Sequence, residues 1–188
     1  MPVLYPFLSG SVVVCTHQKL NDSHVSANRS SRPHVSSLGR VPGVPGAYAD
    51  LSRHPACAPV PGVLIVRVDG ALYYANALTI RDNVKTMIEE MQPPPKAVVI
   101  DAGAQDQLDL TSAEMLISLV RELQGRGMVV VMADVHAPVR EFSRKAGLLE
   151  VIGEDHLLPT MELAVRQVEA AAGPQRGEPL LPTTKKIS

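Results

Sequence analysis

The chain has little of several things, and each shortage removes a class of function. There is no Trp, and only four Tyr and two Phe in 188 residues, so a base-stacking platform for single-stranded nucleic acid is excluded. There are two cysteines, Cys15 and Cys57. They make neither a disulfide framework nor a metal-ligand spacing, and a reducing cytosol suits them. No apolar run approaches the roughly 18 residues needed to span a bilayer. No G-x-G-x-x-G, P-loop or G-x-S-x-G occurs, and Gly125-x-Gly127 reads as a helix stop. The six His are scattered without zinc-type spacing. Ser112 and His136 are both present, but nothing in the pattern sets a base beside a nucleophile.

Net charge is also small, at −1, but it averages unlike parts. Residues 1–60 carry five Lys/Arg against two Asp/Glu, 61–172 carry ten against sixteen, and 173–188 carry three against one. The central −6 is the wrong sign for a nucleic-acid binder, which needs clustered cations for phosphate.

What is present falls into four parts. The apolar start, Met1 to Cys15, lacks a basic n-region and a small-x-small cleavage site, so it is not read as a signal peptide. Residues 1–37 read as a disordered leader, rich in Ser, His, Asn and Arg after residue 15. Residues 38–61, with Pro42, Pro45, Pro55, Pro59 and Pro61 among glycines, read as an extended linker. Residues 62–172 read as one domain, and 173–188 as a disordered tail.

Within the domain, Val63–Val68 is a β-branched run. Asp69-Gly70 follows and then Leu72-Tyr73-Tyr74, a hairpin signal. Asn76 is placed to cap a helix to about Met91, with Leu78, Ile80, Val84, Met87, Ile88 and Met91 inward. Ala97–Ile100 and Met128–Met132 read as buried strands, and Thr111 to about Gln124 as a helix with Met115, Leu116, Leu119, Val120 and Leu123 inward. His136–Lys145 is a short helix whose Arg140, Arg144 and Lys145 form a basic, solvated face. Glu150–Ile152 reads as a last short strand. Pro159 opens a final helix with Met161, Leu163, Ala164 and Val168 inward. The expected order is β-β-α-β-α-β-α-(β)-α: an α/β domain with a mixed sheet of four to five strands packed against helices.

The chemistry-bearing stretch runs from Val98-Val99-Ile100-Asp101 to Leu108-Asp109-Leu110-Thr111-Ser112-Ala113-Glu114. A loop at the C-terminal end of a buried strand is where open α/β sheets meet their ligands. Thr111 and Glu114 have capping-box spacing, and Asp109 suits a turn beside a helix N-terminus. The same geometry surrounds a hydroxyl with free amides that would stabilise a phosphate. Asp101, Asp106 and Asp109 make this end acidic, and a phosphate on Thr111 would add roughly two more negative charges.

This architecture and loop resemble the STAS domain, the family named for sulfate transporters and anti-sigma factor antagonists. Asp109 and Thr111 match its D-x-S/T motif, whose hydroxyl is the phosphorylation site in the antagonist branch. Ser112 stands where a Gly commonly follows and offers a second hydroxyl. Leu38-Gly39-Arg40-Val41-Pro42-Gly43, Tyr48-Ala49-Asp50, Arg53-His54-Pro55, Leu72-Tyr73-Tyr74-Ala75-Asn76-Ala77 and Lys145-Ala146-Gly147-Leu148 resemble the join and the C-terminal domain of SulP-type anion transporters. The resemblance implies a STAS-like (SpoIIAA-like) fold and a non-catalytic, cytoplasmic regulatory domain without the membrane part, at the inner face of the membrane through its partner.

The partner would be a transporter membrane domain. The alternative is a free-standing phospho-switch with Thr111 as acceptor, whose partner would be a kinase or anti-sigma factor. Asp109, Thr111 and Ser112 would form the regulatory loop, with Asp101, Asp106 and Glu114 as contacts to a partner or nucleotide. No metal and no cofactor is expected beyond weak GTP or GDP binding, which some family members show.

Overall fold

A computed structural model describes residues 34–172. The tail read over 173–188, and the leader read over 1–37 except for its last four residues, lie outside these. The chain runs β1 (His34–Arg40), β2 (Tyr48–Asp50), β3 (Val63–Asp69), α1 (Ala77–Glu90), β4 (Ala97–Asp101), α2 (Leu110–Gly125), β5 (Val129–Ala133), α3 (Ala137–Lys145) and α4 (Leu148–Ile152). A 3-10 turn (Glu154–His156), β6 (Leu157–Leu158) and α5 (Met161–Ala172) complete it. Six strands form one sheet in the order β2-β1-β3-β4-β5-β6. From β3 to β6 the pairs are parallel, and β1 runs antiparallel to both β2 and β3. The fold is the expected mixed α/β domain, with six strands where four to five are expected, because β1 and β2 lie in the stretches read as the end of the leader and the linker.

The alternation of side chains along the strands sorts two cores. Leu64, Val66, Val98, Ile100, Val130 and Met132 face α1, α2 and α4. Val63, Ile65, Ala97, Val99, Val131 and Ala133 face α5 through Met161, Ala164, Val165 and Val168. Both faces of β4 are covered and every one of its residues is buried, as its unbroken apolar run requires.

Several expectations are corrected. No hairpin follows β3: its antiparallel partner is β1, which pairs His34 with Asp69 through Ser37 with Val66. Leu72, Tyr73 and Tyr74 cannot enter a ladder because side chains hold their amides. Gln105 Oε1 accepts from Leu72 N at 2.7 Å, Asn76 Oδ1 from Tyr73 N at 3.0 Å and Asp109 Oδ2 from Tyr74 N at 2.7 Å. Asn76 does stand at the cap position of α1, but its side chain serves this turn and not the helix.

The stretch 38–61 is not an extended linker. It holds the end of β1, then β2, then a bridge from Arg40 to Ala58, and it buries Leu38, Cys57 and Val60. Pro42, Gly43, Pro45 and Gly46 build turns. Val41-Pro42-Gly43-Val44 and Val44-Pro45-Gly46-Ala47 are tandem turns with Gly43 and Gly46 at φ 75° and 76°, the pattern in which Pro precedes a positive-φ Gly. Val41 N closes the pair on Ala47 O at 2.9 Å.

The last expected strand, Glu150–Ile152, is part of helix α4, and the sheet ends instead at Leu157–Leu158. Leu148, Leu149 and Ile152 are all buried, and a single helical turn presents such a trio to one core where an alternating strand would split it. Leu78 and Leu163, expected inward, are 58% and 45% exposed.

Candidate functional site

The site lies at the C-terminal margin of the parallel strands, where the turn 70–76 meets the loop 101–109. Gln105 joins the two. It is 5% exposed, accepts from Leu72 N, and donates through Nε2 to Gly70 O at 2.8 Å. Between the segments lies an open groove of about 450 Å³ lined by Leu72, Tyr73, Gln107 and Leu108 with Asp106 and Asp109.

Asp109 is the N-cap of α2. Its Oδ1 accepts from Ser112 N at 2.7 Å, and its Oδ2 holds Tyr74 N. The capping box read at Thr111 and Glu114 is therefore shifted two residues upstream: Asp109 is the cap, and Ser112 supplies the third helical amide. Thr111 falls at the second helical position with its side chain exposed, and Glu114 is exposed one turn below. Ser112 is fully buried, so its hydroxyl is no second acceptor. Burial pushes the Asp109 carboxyl up, but the amide hydrogen bonds from Ser112 and Tyr74 outweigh it and hold the group below its ordinary value.

The expected acids do not gather as one patch. Asp106 and Asp109 line the groove. Asp101 is 3% exposed and is withdrawn into another network. Its Oδ2 accepts from Arg67 Nε at 2.6 Å and its Oδ1 from Gly103 N at 2.9 Å. Arg67 and Asp101 are opposed across β3 and β4 on the face that α5 covers, so this ion pair caps that core. Asp134 lies beside it at φ 55°, and His136 Nε2 is 3.1 Å from Gly103 O. Burial, and then the charge of Asp101, push the Asp134 carboxyl up, against the pull of Arg67, His136 and the Met161 amide. Among the described residues no group of three or more His, Cys, Asp or Glu is arranged to hold a metal ion. No helix there is long and apolar enough to cross a membrane.

Gln105, Asn76, Tyr74, Arg67 and Asp134 were not among the sequence candidates. Gln105 and Arg67 act across 33 and 34 residues of chain, and no local motif reports that. The sequence reading sets Asp109 in the turn and the cap at Thr111; the residue type of Asp109 suits a cap equally well, and the structure places it there.

The family model described as STAS domain matches residues 54–165, more than half of the chain. The "Probable sulfate transporter" of Mycobacterium tuberculosis is 38% identical over 138 residues, which are 73% of this chain and 24% of that protein. Sulfate transporter 1.3 of Arabidopsis thaliana is 28% identical over 143 residues, covering 72% of this chain and 22% of that one. The chain thus spans about a quarter of the length of these relatives. Among solved structures, the murine Slc26a9 anion transporter in the inward-facing state superposes with a TM-score of 0.72 at 20% identity, over 79% of this chain and 24% of that one. An anti-sigma factor antagonist from Mycobacterium paratuberculosis gives 0.50 at 22% identity, over 59% and 89%. At these identities the structural likenesses show the fold alone.

Proposed function

The chain belongs to the STAS domain family, and from that premise we propose that it is a non-catalytic regulatory module of a SulP-type sulfate or anion transporter. It would act at the cytoplasmic side by docking on the transport domain, on the same polypeptide or a separate one. The observation that carries this reading is the 38% identity, over nearly three quarters of the chain, to a sulfate transporter. The margin supports it. Gln105, Asn76 and Asp109 spend their polar atoms on backbone groups, which fixes a shaped surface and leaves it to bind. A docked module shifts a transporter by binding one of its states better than another.

The test is sulfate uptake by a SulP transport core in vesicles, with the described domain present or absent. The expected result is a changed rate or half-saturation concentration. Unchanged uptake together with no measurable association would overturn the reading. The reading needs no cofactor: a guanine nucleotide in the groove would set its phosphates against Asp106 and Asp109, and titration with GTP and GDP checks this.

A second reading, the phospho-switch of the antagonist type, is favoured by the exposed Thr111 hydroxyl two residues after the Asp109 cap. Incubation with a cognate kinase decides it: label on the wild type and none on Thr111→Ala supports it, and equal labelling of both removes it.

A further inference from the structure

Five large hydrophobic side chains are exposed among the described residues, and three of them occupy one corner: Tyr74 at 70%, Leu78 at 58% and Leu110 at 58%. One tie brings the starts of α1 and α2 together there. Tyr74 N donates to Asp109, the neighbour of Leu110, at 2.7 Å. Further along, Lys85 Nζ in the middle of α1 and Glu122 Oε2 in the last turn of α2 are 2.7 Å apart. Tyr74 lies in the turn that leads into α1, and Leu78 is the second residue of that helix. The core has no claim on these side chains, since α1 already buries Ala77, Ile80, Val84 and Ile88. Exposed hydrophobics scattered singly are ordinary, whereas a contiguous group with a polar rim marks a contact surface.

Charge selects the occupant. Asp106 and Glu114 are exposed, and their carboxylates make no hydrogen bond or ion pair among the described residues. The nearby cations are already engaged, Arg81 with Asp82 and Lys85 with Glu122. An apolar centre with an uncompensated acidic rim suits a partner that brings both apolar and cationic side chains, and it repels anionic lipid. We propose that this corner docks a basic amphipathic segment of a partner protein. The segment's apolar side chains seat on Tyr74, Leu78 and Leu110, and its Lys or Arg residues meet Asp106 and Glu114. The proposal rests on the reading of the chain as a docking module and names the surface through which it docks.

The probe is a synthetic amphipathic helical peptide of leucine and lysine, with a leucine–glutamate counterpart and phosphatidylglycerol vesicles as comparison arms. The expected result is saturable binding of the leucine–lysine peptide alone, with amide-exchange protection gathered over 72–78 and 106–114. Leu78→Asp with Leu110→Asp is expected to weaken binding about tenfold or more, the usual effect of losing apolar anchors. Asp106→Lys with Glu114→Lys is expected to weaken it similarly and to transfer preference to the glutamate peptide. All four positions are exposed, and circular dichroism confirms that the variants fold.

Equal binding of both peptides, protection elsewhere, unaltered affinity in the variants, or preference for the vesicles overturns the proposal. So does a concentration-dependent dimer that Leu78→Asp abolishes, because a second copy would then cover the corner. If these experiments fail while a transport core still responds to the domain, docking stands and this surface does not. If the peptide results hold and the core does not respond, the surface stands and the transporter assignment falls.

Discussion

The carboxylate of Asp109 accepts a hydrogen bond from the amide of Tyr74 at 2.7 Å across 35 residues of chain, while its other oxygen caps α2 at Ser112. One side chain thus closes a helix and ties the turn before α1 to it. Asp109→Ala is expected to cost about 1–3 kcal/mol, a lost cap plus an orphaned amide. Asp109→Ser is expected to recover the cap and not the tie, falling between wild type and Ala. Urea melts of the three proteins check the order, and equal stability of Ser and wild type would deny the tie any weight.

Asp109 and Asp134 are expected to give the stability opposite pH dependences. Asp109 is held below its unfolded value, so its contribution is full above the ordinary carboxylate range and is lost as pH falls through the folded value. Asp134 is raised by burial and by Asp101, so its contribution is present below the unfolded value and is lost as pH rises through the folded one. Asp134→Asn keeps a residue that tolerates positive φ and removes the repulsion. It is expected to be more stable than wild type at neutral pH and to lose that advantage in acid. Melts at both pH values check it, and an unchanged difference would contradict the assignment.

Thr111 and Ser112 are adjacent and are expected to behave as opposites. Thr111→Glu adds an acid to an exposed first-turn position, where the helix N-terminus favours it, and should alter stability by no more than about 0.5 kcal/mol. Ser112→Glu puts a charge into a fully buried site and should unfold the domain or cost several times more. Thermal melts separate them, and phosphate mapped to Ser112 of the folded domain would contradict the burial.

Gly39 distinguishes a strand from a linker. A Cβ there would sit 2.7 Å from Ala58 O and would also strike Leu51. Gly39→Ala is expected to destabilise the domain by about 1–3 kcal/mol, whereas in an extended linker it would do nothing. A neutral result in urea melts would mean that β1 does not pack where the structure places it.

Much of the fold was readable because burial leaves periodic marks. The unbroken Ala97–Ile100 and the stripe Met115, Leu116, Leu119, Val120 and Leu123 each point to one structure, and each forms it. Two of the misreadings come from partners that strand propensity and composition do not report. Tyr73 and Tyr74 have strand propensity, but Asn76 and Asp109 take their amides, and tertiary context overrides propensity. Val41 to Ala47 has the composition of a linker, yet it joins β1 to β2 inside the sheet, and Tyr48 just after it donates through Oη to Glu162 of α5 at 3.0 Å. At the site, local spacing picks out Asp109-Leu110-Thr111-Ser112 as a helix start but sets the cap at Thr111, two residues late. It does not pick out Gln105, Arg67 or Asp134, because what they do depends on which strands become neighbours.

The sheet closes at either side with very short strands, three residues in β2 and two in β6. An edge so brief offers few unpaired amides and carbonyls to an incoming strand, the same economy that protects natural β-proteins from templated aggregation. At these two margins the domain therefore has little backbone to lend to a neighbour's strand. Whatever contacts it makes there have to be made by side chains, and so can be specific and reversible.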